Sequence, residues 1–334
     1  MVQKKQDLKP DTVLKNYWRN NDRFADFFNA VLFEGKQVIR PEELEDEDTE
    51  ESSVLEHGNF AKSIQASRDN IKIRKKSTAY GIELVMLGME SQEHIHYAMP
   101  MRVMGYDYGV YKKQYDSNAE KCKSLKELDE DEYLSGMRRT DKFTPVITVV
   151  VYYGEKPWDG SVTLHEMLNI PEEVKQYVND YRMMLIEARQ NNLMLCHADN
   201  VDFFNLLEII LDRSIPGKEA KAKAIQYSEE HRTDKLVIMT VAGATNSKID
   251  YNAFEKGDGR MCTLFDEIAR ESETRGMEKG MEKGMEKGKA EGIIETGIDF
   301  GLSDKEILDR LQEKLNISMQ TAQEYLLRFG RQSV

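Results

Sequence analysis

Asp69, Glu90 and Gln92 are the residues of this 334-residue chain whose types and spacing lend themselves to chemistry. Glu90 and Gln92 stand two apart at the end of YGIELVMLGME (80–90), a run apolar on both faces and so read as a central strand. Residues two apart in a strand share a face, so Glu90 and Gln92 point the same way, with Ile82, Leu84 and Met86 further back on that face. Asp69 opens the preceding candidate strand, in which Ile71 and Ile73 alternate with Lys72 and Arg74, the pattern of a half-exposed strand. Two carboxylates near one strand end can hold a hard divalent cation such as Mg2+. The backbone carbonyl of Ser91, between two inward-facing side chains, is a candidate third ligand. Such a cation lowers the pKa of a bound water and offsets charge on a phosphodiester, and the Gln92 amide can orient that water. The same spacing also suits a strand end carrying solvated polar residues, and spacing alone leaves both readings open.

Elements on either side must position these groups. Phe24, Phe27, Phe28, Val31 and Leu32 recur at helical spacing and form one apolar face. Asn21 or Asp22 is the expected cap of that helix, and Glu34-Gly35 its end. Residues 41–57 hold nine carboxylates and no Lys or Arg, which reads as a solvated loop. Pro100 suits the first turn of a helix, and Met99, Val103, Tyr106 and Val110 then share a side. TPVITVVVYYG (144–154) is β-branched on both faces and reads as another buried strand, with 181–188 a further candidate. From residue 196 the pattern turns helical, over 201–212, 219–230 and 232–243. The expectation is an α/β fold: a mixed sheet flanked by helices 22–33 and 99–114, with Asp69, Glu90 and Gln92 converging at one edge.

The tail is a repeat. Gly276, Gly280, Gly284, Gly288 and Gly292 recur every four residues, with three copies of Met-Glu-Lys between the first four. Four residues overshoot a helical turn by about 40°, and glycine is a poor helix former. The segment therefore reads as a flexible or marginally helical tether, or else as a helix whose glycines admit a partner helix. Ser303 and Glu306 form a capping-box pattern. Ile307, Leu308, Leu311 and Leu315, then Ala322, Tyr325, Leu326 and Phe329, give two short amphipathic helices, expected to dock on the main body or on another subunit. The expected division is a sheet domain over 1–195, a helical extension over 196–270, the repeat over 271–292 and a helical hairpin over 293–334. The tail from about 271 is expected to mediate homo-oligomer formation and to be dispensable for the fold of residues 1–190.

A net charge of -13 argues against a generic nucleic-acid binder. The distribution is uneven, however: Lys62, Arg68, Lys72, Arg74, Lys75 and Lys76 surround a single acid, Asp69, so local phosphate contact stays possible. Lys72, Arg74 and Arg102, the last one turn from Tyr106, are the candidate nucleic-acid contacts. No apolar run is long enough to span a membrane. Cys122, Cys196 and Cys262 are scattered, which suggests a reducing compartment, with cytoplasm the default. His94 and His96 lack a third ligand and read as bystanders, and Cys196-His197 reads as core packing rather than catalysis.

The stretches ADFFNAVLF, RDNIKI, VMLGMESQEHIHYAMPMRVMGYD and TPVITVVVYYGEKPWDG resemble the recombination-promoting nuclease family, also called YhgA-like transposases. The likeness covers roughly residues 10–190, and its most specific part runs from Glu90-Ser-Gln through Met-Pro-Met-Arg102. The Gly-Met-Glu-Lys repeats and the terminal hairpin resemble the tails of many members. The resemblance implies the PD-(D/E)XK, restriction-endonuclease-like fold, whose core runs helix, three strands, helix, strand. It implies that Asp69 takes the place of the strand-opening aspartate and Glu90 that of the glutamate in E-x-K. Gln92 stands where the superfamily usually has lysine; this family's own pattern resembles E-x-Q. Arg68 stands where a proline is usual, and a first-helix acid, Asp22 or Asp26, is a candidate further member of the site. The implied activity is Mg2+-dependent endonucleolytic cleavage of DNA, linked to recombination or mobile elements. The rival is a catalytically silent nuclease fold serving binding or oligomerisation, which the missing lysine and the acidic charge favour.

Overall fold

Strands form where the sequence alternates or runs apolar, and among the described residues five of them make one mixed sheet in the order β1-β2-β3-β4-β5. They are β1 (Leu44–Asp46), β2 (Asn70–Ser77), β3 (Ile82–Met89), β4 (Val146–Tyr152) and β5 (Met184–Glu187). The computed structural model describes residues 10–47, 70–89, 95–124, 128–245, 247 and 250–330. β1, β2 and β3 pair antiparallel in sequence order, whereas β4 lies parallel to β3 and β5 parallel to β4. A parallel step needs a crossover, and the 26-residue helix Met99–Ser124 lies in the chain between β3 and β4. Pro100 sits in its first turn, as the sequence predicts.

Helices flank the sheet. α1 is Pro10–Arg19, α2 Asn21–Phe33, α3 Met99–Ser124 and α4 Glu130–Ser135. After the sheet come α5 (Ala198–Leu211), α6 (Gly217–His231), α7 (Lys235–Ala244) and α8 (Tyr251–Lys256). Cross-strand partners share a face, so Val85 and Leu87 join Val150 and Tyr152 against Met99 and Val103 of α3. The opposite face meets α1, α2 and α5: Lys75 reaches the Arg19 carbonyl and the Phe24 ring, and Tyr153 meets Trp18 and Phe203. α7 is buried around most of its girth, as Val237, Ile238, Met239 and Val241 show. It packs on α1 so closely that a Cβ on Gly243 would lie 3.1 Å from the Pro10 carbonyl oxygen. Among the described residues no helix is long and apolar enough to cross a membrane.

Several expectations need correction. Asn20, not Asn21 or Asp22, caps α2, its side chain accepting from the Arg23 N–H. Asn21 is committed elsewhere, donating to the Pro41 and Leu44 carbonyls. Part of the expected acidic loop is ordered: 41–43 form a 3-10 turn and 44–46 form β1. Its charges are answered across the strand pair, Glu45 lying opposite Lys76 and Asp46 opposite Lys75. The rest of that run, from residue 48, lies outside the described residues. The compact unit containing the sheet extends to Phe265, so the expected extension after residue 195 is part of the same body.

The second unit comprises residues 266–334. The repeat is helical, within the 39-residue α9 (Met261–Asp299), followed by α10 (Asp304–Leu315) and α11 (Met319–Phe329). Ala290, Ile294, Ile307, Leu311 and Ala322 form its core, so the hairpin docks on the end of the repeat helix itself. Buried residues anchor both ends of the repeat, Met261 and Leu264 before it, Ala290 within its last copy and Ile294 just after it. Helix propagates cheaply between anchored ends, which offsets the poor propensity of glycine. The capping box at Ser303 and Glu306 forms as its sequence predicts.

Candidate functional site

The β2–β3 register fixes what stands at the strand end. Ser77 pairs with Ile82 beside the turn, and the ladder runs out to Asn70 opposite Met89. Asn70 directly follows Asp69, and Met89 directly precedes Glu90. Asp69, Glu90, Ser91, Gln92 and His94 themselves lie outside the described residues. On the far side of β3, Met89 is level with Tyr152, and Tyr152 with Glu187. Glu187 is engaged there, accepting from the Trp158 N–H at 3.1 Å and pairing with Arg189.

Arg74 and Lys75, adjacent on β2, face inward on opposite sides of the sheet. Arg74, expected on a half-exposed face, is 4% exposed and lies 2.5 Å from Glu83. Gln114 of α3 donates to the same Glu83 carboxylate at 3.2 Å and to the Thr144 carbonyl, so a polar network fills this part of the sheet's α3 side. That placement withdraws Arg74 from the phosphate contact expected of it. Its Nη1 has no hydrogen-bond partner among the described residues. Lys72 pairs through its backbone with Leu87, while its side chain lies outside the description. Lys75 is fully buried and donates to the Arg19 carbonyl, the Asn21 side chain and the Asp46 carboxylate.

Arg102 is enclosed at the start of α3, not on a helix surface, and donates to the Tyr106 hydroxyl at 3.2 Å. Its charge reaches His96, whose pKa is lowered first by desolvation and then by Arg102. Further along α3, Asp107 accepts from Thr148 at 2.5 Å and from the Tyr181 hydroxyl. Burial, then the bond to Asp107, pushes the Tyr181 phenol far above its ordinary range.

The first-helix acids divide. Asp22 is exposed, whereas Asp26 is buried and takes the Cys196 N–H and the Asn200 amide, each at 2.8 Å. Cys196 is exposed and not core packing, and His197 caps α5 by accepting from the Asp199 N–H. Among the described residues no group of three or more His, Cys, Asp or Glu is placed to hold a metal ion.

Sequence reasoning passed over Glu83 and Asp107, although Glu83 carried a signal. A carboxylate inside a run as apolar as IELVML demands a buried partner, and Arg74 supplies it. Comparison of the chain with protein-family models, with curated proteins and with solved structures gives no match.

Proposed function

We propose that the chain is a metal-dependent DNA endonuclease of the PD-(D/E)XK type, related to the recombination-promoting nucleases, with Asp69 and Glu90 as its acidic pair. The observation that carries this reading is the register ending at Asn70 opposite Met89. Pairing continued by one residue on each strand would set Asp69 opposite Glu90, on the face of Ile73 and Met86. Directly opposed residues stand about 5 Å apart at Cα, close enough for two carboxylates to share one ion. The order of helix, three antiparallel strands, helix and parallel strand supports the same reading.

Two carboxylates and the Ser91 carbonyl are hard oxygen donors of the kind Mg2+ takes. When bound, the ion supplies an activated water and charge neutralisation at the phosphodiester. Gln92, two residues from Glu90, would share its face were the strand continued, and its amide would orient the attacking water. Arg102, in the first turn of α3, is the first Lys or Arg in the chain after Glu90 and would supply positive charge. Self-association is assigned to the C-terminal unit, independently of any nuclease chemistry.

The test is nicking of supercoiled plasmid by the purified chain with Mg2+ and with chelator. Wild type nicks only with the ion, Asp69→Ala and Glu90→Ala do not, and Gln92→Ala loses about 100-fold in rate. Wild-type-like nicking by either alanine variant would sink the assignment. A second reading, a silent nuclease fold, is favoured by one observation: Arg74 and Lys75 are withdrawn into ion pairs on a chain of net charge -13. Absence of nicking with any divalent metal would select it.

A further inference from the structure

The repeat helix carries a face that the C-terminal unit leaves uncovered. α10 and α11 close over α9 at Ala290 and Ile294, and the Tyr325 hydroxyl donates to Glu286 at 2.6 Å. Before that cover begins, Met277, Met281 and Met285 are 75%, 66% and 57% exposed. They are the apolar residues of three successive Met-Glu-Lys copies separated by glycine.

At about 100° per residue, the repeat resolves into four lines along the helix. The lines stand about 90° apart at any one height, and the neighbouring Met and Gly lines form one face. The Glu line borders that face on the Met side, and the Lys line borders it on the Gly side. A Cβ added at Gly284 or Gly288 would meet nothing within 4 Å among the described residues. Packing among the described residues therefore gives no reason for a residue that forms helix so poorly; close approach of a second helix does.

We propose that two copies of the chain pair through this face with their α9 helices parallel. In a parallel pair related by a two-fold axis along the helices, the Met side of one helix meets the Gly side of the other. The Glu border of each then faces the Lys border of its partner. Antiparallel pairing would set Met on Met, Gly on Gly, Glu on Glu and Lys on Lys. Shape and charge thus select the same direction, and the occupant they fit is the identical repeat. Rows spaced by four residues interlock at a crossing of about −50°, so the contact is confined to the repeat and the helices diverge on either side.

The test uses the full chain carrying Cys196→Ser and Cys262→Ser, which leaves only the buried Cys122 as a native thiol. Met277→Cys and Met285→Cys, each alone, are expected to form disulfide-linked dimers with oxidised glutathione at least tenfold faster than Met194→Cys, which is 64% exposed and outside the repeat. Cross-linking that appears only when the two single variants are mixed would show antiparallel pairing and overturn the proposal. Gly284→Leu is expected to keep the helical circular dichroism of wild type and to weaken self-association at least tenfold by sedimentation. Undiminished association of Gly284→Leu, or a wild type monomeric throughout the micromolar range, would equally overturn it.

Discussion

Lys75 shows how a residue chosen by charge alone can be misjudged. Its ammonium has three protons, and three acceptors take them: the Arg19 carbonyl at 2.9 Å, Asn21 Oδ1 at 2.8 Å and the Asp46 carboxylate. One buried group thereby ties β1 and β2 to the end of α1 and the start of α2. Lys75→Met keeps the aliphatic stem but strands the carbonyl and the amide, while Asp46, 70% exposed, stays hydrated. The expected loss is about 2–3 kcal/mol, read from urea denaturation; a loss below about 0.5 kcal/mol would mean water replaces the ammonium without penalty. Phenols give a second residue-scale expectation. Burial holds the pKa of Tyr17 well above its usual value, and burial with the Asp107 bond does the same for Tyr181. Because both folded values are raised, the stabilisation is fully present below the unfolded pKa, about 10. It is lost as pH climbs above that value, since the unfolded chain ionises first. Denaturation midpoints should hold between pH 8 and 9 and fall above pH about 10. Tyr181→Phe should be less stable at neutral pH yet flatten the alkaline fall. An unchanged alkaline profile in Tyr181→Phe would remove Tyr181 from the account.

At the scale of elements, two glycines of one helix should respond to the same substitution with opposite signs. A Cβ at Gly292 meets nothing within 4 Å, so Gly292→Ala should stabilise the C-terminal unit by up to about 1 kcal/mol through helix propensity. A Cβ at Gly297 would lie 2.7 Å from Ile307 Cγ1. Gly297→Ala should therefore cost about 1–2 kcal/mol net, the overpacking outweighing the propensity gain. Thermal melting of the two variants beside wild type separates them, and a gain in both would show that α10 yields freely. The contrast marks what was legible in the sequence. Helix and strand positions over 22–33, 80–90 and 144–154 were readable because periodicity is local. The Ser303 cap was readable because its partner lies three residues away. The burial of Arg74 was not, because alternation says which face a side chain takes but not whether that face is covered. Gln114, 31 residues beyond Glu83, closes that network from another element. The helical state of the repeat was undecided for a similar reason, since the anchors that stabilise it lie at and beyond its ends. Of the candidate site, the spacing of Glu90 and Gln92 was legible, and the β2–β3 register adds that the chain beside Asp69 meets the chain beside Glu90.

For the molecule as a whole, the first compact unit does not close where the sheet does. The sequence suggests a boundary near residue 195, after the last strand. The core of that unit, however, is assembled from both ends of its chain. Tyr17 donates to Asn200 Oδ1 at 2.9 Å, and the Asn200 amide returns to the Arg23 carbonyl and the Asp26 carboxylate, each at 2.8 Å. Phe203 and Phe204 complete the aromatic cluster around Trp18, and Phe27 stacks on Phe204 at 5.9 Å. Removing everything after residue 195 would strip α5 from α1 and α2, leaving Trp18 and Phe27 open to water and the Asp26 carboxylate without the Cys196 N–H and the Asn200 amide. Loss of one buried aromatic costs about 3–5 kcal/mol, and a typical domain has only about 5–15 kcal/mol in hand. A chain ending at residue 195 should therefore fail to fold, whereas one ending at residue 265 should melt in a single cooperative step. Circular dichroism melts and amide dispersion in proton NMR spectra of the two truncations decide it. A sigmoidal melt from the 195-residue chain near that of the longer one would mean the sheet and its first helices suffice, with α5 to α8 an accessory layer. The expected outcome instead puts any catalytic competence at the β2–β3 strand end under the control of helices that follow it by more than 100 residues, because α1 and α2, which brace β2 through Lys75, are themselves braced by α5.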